Sequence, residues 1–137
     1  MTRSEALGLR GITTLLSPGN KNGRLAVLIY HRVLAERDPL KPELPDTETF
    51  DWHMGLLAEE FRPIPLAEGV ERLARCDLPP RAVAVTFDDG YMDNHSVALP
   101  ILQKWGVPAT FFVATGYLGS GWMWNDRHRL ALIAGLL

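Results

Sequence analysis

Two carboxylates stand side by side at Asp88-Asp89, directly after the apolar run Ala82-Val83-Ala84-Val85-Thr86-Phe87 and directly before Gly90. Like charges at close range raise one another's pKa, so such a pair is costly unless something relieves it. A bound cation would relieve it by taking one carboxylate as ligand and holding its neighbour ionised. Successive side chains at a strand end point in different directions. One aspartate can therefore face an ion while the other faces a bound water, and Gly90 permits a tight turn that brings backbone close to both. By itself Asp-Asp-Gly reads better as an ordinary solvated turn, since Asp and Gly are favoured there. What raises the chemical reading is the full string Thr86-Phe87-Asp88-Asp89-Gly90-Tyr91 and its place behind a Val-rich strand.

His31 is the second candidate. It ends another apolar run, Leu25-Ala26-Val27-Leu28-Ile29-Tyr30, and an imidazole is suited to proton transfer because its pKa lies near working pH. Standing alone, it would read as a strand-end histidine satisfied by backbone groups. The other histidines suggest less. His53 lies next to the inward positions of a helix and reads as a surface or boundary residue. His95 sits on the helix after the aspartates, and His128, in Asp126-Arg127-His128-Arg129, reads as a solvated helix start. None of the three has the paired spacing of metal ligands. The one cysteine, Cys76, excludes an internal disulfide framework and reads as a structural or surface thiol near a helix end.

The elements that must position these groups follow from hydropathy spacing. Residues 5–16 read as a short leading helix stopped by Ser17-Pro18-Gly19. The run 25–30 has the nearly continuous apolar pattern of a strand buried on both faces, and 38–45, with three prolines, is a loop. A helix follows with Thr47 or Thr49 as N-cap, its inward face Phe50, Met54, Leu57 and Phe61, ended by Pro63. Leu66, Val70 and Leu73 repeat that spacing in a second short helix before Pro79-Pro80. After the buried strand 82–87, a helix turns Val97, Ile101 and Trp105 inward. Pro100 should bend its first turns, and Gly106 should stop it. A third buried strand spans 109–114, a Gly-rich loop spans 115–121, and helical pattern resumes from Asp126.

This alternation spells α/β with parallel strands. In such folds chemistry gathers beyond the carboxyl ends of the strands, and His31, Asp88 and Thr115 all lie there. The organisation expected is a leader helix and linker over 1–23 and the main domain over 24–137. The run 130–137 is nearly all apolar and should need cover, either from the remainder of a longer domain or from a partner.

Composition narrows the classes of function. The 137 residues are 47% hydrophobic and 22% charged, ordinary for a globular domain. A formal charge of -2 and a pI near 6.1 give no electrostatic case for nucleic acid. Arg72, Arg75 and Arg81 read as a solvated face. No apolar run reaches the length of a transmembrane helix, and the N-terminus lacks a clean export signal. The compartment is therefore left open, cytoplasmic by default with a cell-envelope role still compatible.

Thr86 to Gly90 resembles the first motif of the polysaccharide deacetylase family, the fourth carbohydrate esterase family with its NodB-homology domain. Pro100-Ile101-Leu102 and Gly106 to Val113 resemble the helix and strand that follow it. Leu28-Ile29-Tyr30-His31-Arg32-Val33 resembles the opening strand of the branch containing poly-N-acetylglucosamine deacetylases. The resemblance covers roughly residues 25–130. It implies the N-terminal half of a deformed seven-stranded (β/α) barrel that hydrolyses N-acetyl groups from an N-acetylated glycan.

Carried over residue by residue, Asp88 corresponds to the general base and Asp89 to a metal ligand. His31 corresponds to the general acid, N-terminal here because the motif order of this branch is permuted. The implied cofactor is a divalent ion, zinc first, with nickel, cobalt or iron as alternatives. The family's second motif, a histidine pair completing the metal site, is absent from these 137 residues. This chain alone is therefore expected to be inactive or nearly so. A non-catalytic carbohydrate-binding or scaffolding remnant of the same fold is the alternative. A magnesium site for phosphoryl transfer ranks last, for want of a Gly-rich phosphate cradle. Trp122, Met123 and Trp124 could stack on sugar rings but read better as rim packing, and Tyr91 reads as a pocket wall.

Overall fold

The protein is described from a computed structural model, which covers residues 11, 14–119, 123 and 126. Strand β1 (Ala26–Tyr30), helix α1 (Thr47–Glu60), strand β2 (Arg62–Pro63), helix α2 (Leu66–Ala74) and strand β3 (Ala82–Phe87) follow in order. A π-helical turn (Asn94–Ala98) then runs into helix α3 (Leu99–Trp105), followed by strand β4 (Ala109–Phe111) and a short 3₁₀ turn (Thr115–Tyr117). All strand pairs are parallel, as the alternation of apolar runs requires.

β3 is the axis of the sheet. β1 pairs along its whole length, β2 with its first two residues and β4 with its last three. All six of its side chains are buried, which explains the unbroken Ala-Val-Ala-Val-Thr-Phe pattern. On one face Val83, Val85 and Phe87 pack with Phe50, Met54 and Leu57 of α1 and Ala98, Ile101 and Leu102 around α3, forming the main core. A smaller cluster joins Ile64, Leu78 and Ala82. The two helices are stapled at the surface: Asp51 accepts from Lys104 Nζ at 2.7 Å and from Trp105 Nε1 at 2.9 Å, which holds its carboxyl below the usual carboxylate range. Gly55 lies under the Trp105 ring, where a Cβ would come to 3.0 Å.

Several sequence expectations are corrected. The N-cap of α1 is Asp46, whose carboxylate accepts from the Thr49 N–H at 2.8 Å. Thr47 instead turns its hydroxyl to the Leu34 and Ala35 carbonyls, tying the preceding loop to the helix. Pro63 does more than stop α1, because Arg62–Pro63 is itself a strand. Proline fits there since the ladder bonds come from the Arg62 and Ile64 N–H groups, to Arg81 and Val83. α2 buries Gly69 against Leu25 and Ile64, whereas Val70 and Leu73 are exposed.

β1 and β4 are not buried on both faces. Among the described residues each pairs only with β3, leaving Val27, Ile29, Phe111 and Phe112 exposed. β4 is also shorter than 109–114. Pro100 is accommodated by the π-helical turn before it, where the Leu99 N–H reaches back to the Asn94 carbonyl; such a turn absorbs the hydrogen bond proline cannot make. Gly106 ends α3 in the left-handed conformation, φ 62°, as expected. Arg81 departs from the solvated face: it is half-buried and donates to the Glu60 carbonyl at 2.8 Å. Arg72 and Arg75 make i,i+4 pairs with Glu68 and Glu71 at the surface. Most of the leading helix, Trp122, Trp124, His128 and the run 130–137 lie outside the described residues, which reach the leading helix only at residue 11 and its helical end, 14–16.

Candidate active site

The register of β1 on β3 ends at Tyr30 opposite Phe87. His31 and Asp88 are thus the next residues out of two adjacent parallel strands. The Asp88 N–H continues the ladder by donating to the Tyr30 carbonyl at 2.9 Å. Beyond it the backbone turns sharply. The Gly90 N–H donates to the Asp88 carbonyl at 2.9 Å, which places Asp89 at the centre of a γ-turn with φ 73°. A non-glycine residue held there is strained, and such strain collects at functional sites. The Ala114 N–H donates to the Asp89 carbonyl, so the strand end of β4 helps to hold the turn.

Gly90 has φ 75°, and a Cβ on it would lie 2.9 Å from Val113 Cγ1. Gly90→Ala is expected to cost about 1–2 kcal/mol from the left-handed backbone alone, with the valine contact adding to it. A lowered midpoint in thermal denaturation checks this; an unchanged midpoint would mean that the turn is not held in this form.

A hollow of about 260 Å³ lies at these strand ends, lined by His31, Arg32, Glu43, Leu44, Asp89, Tyr91 and Asp126. His31 and Asp89 both line it, whereas Thr115, another of the strand-end residues, does not. Asp88, half-buried one residue earlier, is not part of that lining. Tyr91 is a wall of the hollow, as expected. Arg32 is a group the sequence reading did not single out. Its Nε donates to Asp93 at 2.7 Å, and its guanidinium lies 4.6 Å from the centre of the Tyr91 ring. One side chain from the β1 end thus clasps the segment after β3, which ties the loop of His31 to the loop of the two aspartates.

His53, half-buried at the boundary where the sequence put it, has a partner that the sequence did not show. The first turns of α1 carry it to the Tyr30 hydroxyl, 3.2 Å from its Nδ1. Burial lowers the pKa of His53 and raises that of Tyr30, so imidazole and phenol are both neutral near pH 7. The only hint in the sequence was its position beside the inward face of α1. His95 is exposed on the π-helical turn, away from this hollow's lining.

Asp89 suits a divalent cation as one hard oxygen ligand. Zinc sites generally use three or four protein ligands, and among the described residues no three His, Cys, Asp or Glu side chains come together in such a group. The described residues offer part of a donor set.

The comparisons with known proteins agree with this geometry. The polysaccharide deacetylase family matches residues 76–130, the stretch that holds β3, the aspartate pair, α3 and β4. A putative polysaccharide deacetylase, YxkH, of Bacillus subtilis is 31% identical over 101 residues, covering 72% of this chain and 35% of the relative. The poly-beta-1,6-N-acetyl-D-glucosamine N-deacetylase of Staphylococcus epidermidis is 31% identical over 128 residues, covering 83% of this chain and 42% of the relative. The chain thus spans less than half the length of either.

Two solved structures superpose well. The deacetylase PplD of Streptococcus pyogenes, in complex with acetate, has a TM-score of 0.63 at 28% identity, over 71% of this chain and 46% of that one. IcaB from Ammonifex degensii has a TM-score of 0.61 at 34% identity, over 72% and 41%. The parallel sheet with its covering helices is part of the (β/α) barrel of these deacetylases. The strand-end aspartates, the sheet register and these relatives agree in pointing to part of a domain similar to that of the polysaccharide deacetylases.

Proposed function

We propose that the domain containing these residues removes N-acetyl groups from an N-acetylated polysaccharide, with poly-N-acetylglucosamine the leading substrate class. The observation that carries this reading is that His31 and Asp89, which are distant in sequence, line a single hollow at the carboxyl ends of adjacent strands. In the reaction, Asp88 takes a proton from a water whose oxygen attacks the amide carbonyl carbon. His31 then gives a proton to the nitrogen as the C–N bond breaks, releasing acetate and a free amine on the sugar. A divalent cation held in part by Asp89 would make the water more acidic and polarise the carbonyl. Arg32, through Asp93 and Tyr91, keeps the two loops in register. The glycan itself is suggested by the Staphylococcus epidermidis relative's name.

The test is acetate release from N-acetylglucosamine oligomers, with and without divalent metal. A chain spanning the length of those relatives should be active and lose activity to a chelator, while the 137-residue chain should give little or none. No release from the longer chain with any metal would overturn the reading. It would favour instead a carbohydrate-binding remnant of the same fold.

A further inference from the structure

Helix α2 carries an apolar stripe that the described residues leave uncovered. Leu66, Val70 and Leu73 follow one another at helical spacing. They lie on the shoulder of the face that turns Gly69 toward Leu25 and Ile64. Val70 is 54% exposed and Leu73 46%. An apolar stripe on one side of a helix is the part that ordinarily packs against something, so this one is short of a neighbour.

The amino-terminal segment is tied down beside it. Its helical end includes Leu15 and Leu16, both exposed, and the residues just after are moored to the sheet. The Ser17 carbonyl accepts from the Arg81 N–H at 3.1 Å, and the Asn20 N–H donates to the Leu78 carbonyl at 2.7 Å. The Arg24 N–H donates to Ser17 Oγ at 3.3 Å. Leu25, the next residue, has its side chain against Gly69 of α2. The leading segment therefore enters the fold one residue, counted across a hydrogen bond, from a side chain that touches α2. Residues 1–10, 12 and 13 lie outside the described residues, but their sequence suits this neighbour. Leu9, Ile12 and Leu16 fall at spacings of three and four, one helical face, with Arg10 and Thr14 on the other side. Gly8 and Gly11 weaken a helix whose length is marginal in water even without them, so it needs an apolar surface to form on. Reach is sufficient: a helix over 5–16 spans about 18 Å, and the stripe from Leu66 to Leu73 about 10 Å.

We propose that the leading helix, residues 5–16, docks on α2, with Leu9, Ile12 and Leu16 packed against Leu66, Val70 and Leu73. The occupant of the stripe is thus the chain's own amino-terminal segment, and two uncovered apolar surfaces cover each other. The contact lies at the amino ends of β1 and β3, next to Leu25 and Arg81. The hollow of His31 and Asp89 lies at the carboxyl ends, so the docked helix leaves it open, and the inference stands apart from the glycan reading.

The experiment uses Cys76, the one cysteine of the chain, which is exposed just past α2 and takes a nitroxide without any substitution. In NMR spectra of the isotope-labelled 137-residue chain, the nitroxide should remove most of the amide signal of Leu9 and Ile12, and reducing it should bring the signal back. Val70→Gln combined with Leu73→Gln, both at exposed positions that do not threaten folding, should restore those two signals with the nitroxide still active. Asn20 should stay broadened in that variant, because its bond to Leu78 holds it near Cys76 whether or not the helix is docked. Leu9 and Ile12 signals that the nitroxide never touches overturn the proposal. Broadening that survives the double substitution does so too. A third arm mixes isotope-labelled chain lacking the nitroxide with nitroxide-bearing chain lacking the isotope. Unbroadened Leu9 and Ile12 are expected there, and broadening would overturn the proposal by showing that the helix docks on a second copy.

Discussion

Asp88→Asn, in a chain long enough to carry the histidine pair, should lower deacetylation by about 10²–10⁴-fold, the usual contribution of a general base. Bound metal should be retained. The amide keeps the size and the strand-end position of the carboxylate, including the ladder bond from the residue 88 N–H to Tyr30, but it cannot take a proton from water. Asp89→Ala should also abolish turnover, by another route: it deletes a ligand, so metal content falls with activity. High metal in the assay should restore part of the activity to Asp89→Ala and none to Asp88→Asn. Metal analysis of the purified variants beside acetate release separates the two. Should both variants retain wild-type rates, the assigned roles are wrong, and the γ-turn at Asp89 needs a different explanation. Equal metal loss in both would mean that the two carboxylates act as ligands together.

The largest effect on stability is expected at Phe87, the last residue of β3. It is fully buried. It stacks on Phe111 with ring centres 4.9 Å apart and on Tyr30 at 5.5 Å, and it meets Phe50 edge-on at 5.9 Å. One side chain thus joins β1, α1 and β4 directly beneath the site. Phe87→Ala should cost about 3–5 kcal/mol through lost burial and the cavity left behind. Against a total stability of about 5–15 kcal/mol for a typical domain, that removes a large share. Urea denaturation should show a much lower midpoint, and Phe87→Leu, which keeps most of the volume, a smaller fall. An alanine variant with an unshifted midpoint would show that this aromatic stack does not hold the sheet together. Because the same ring underlies Tyr30 and Asp88, the variant should lose activity at temperatures where the wild type is still folded.

The two predictions differ in how far they could have been made without coordinates. The aspartate pair announces itself, because two adjacent charges following an apolar strand have few inexpensive explanations. Phe87 is only the last apolar letter of a run. Its importance comes from three rings contributed by residues 30, 50 and 111, and no local pattern reveals that they meet. Arg32 went unremarked, and His53 was read only as a boundary residue, for the same reason. Each has a partner tens of residues away, Asp93 for one and Tyr30 for the other. A polar residue's neighbours across the fold leave no periodic trace.

Local features were legible where the physics is local. The 3.6-residue spacing of Phe50, Met54 and Leu57 is a face of α1, and all three are buried. Gly106 ends α3 because a left-handed residue must follow the helix. The Ala-Val alternation of 82–87 became the central strand because small and β-branched residues suit a surface covered on both sides. Where the spacing misled, a longer-range choice had overridden it. Val70 and Leu73 share the helical period of Leu66, yet α2 turns Gly69 inward, where Leu25 and Ile64 pack over it, and leaves Val70 and Leu73 exposed. The apolar runs of β1 and β4 imply cover on both faces, and the described sheet gives each one strand neighbour.

Sequence alone determined how the three longer parallel strands alternate with helices, and that the acids and His31 would sit just past strand ends, because apolar runs and the residues that terminate them are set by neighbours along the chain; the two-residue strand at Arg62–Pro63 left no such run. The tertiary structure decided that Tyr30 pairs opposite Phe87, that Asp89 is held in a left-handed turn, and that His53 meets the Tyr30 hydroxyl. Those outcomes depend on which distant segments pack together, and packing is settled by the shape and burial of the whole domain rather than by any one stretch of it.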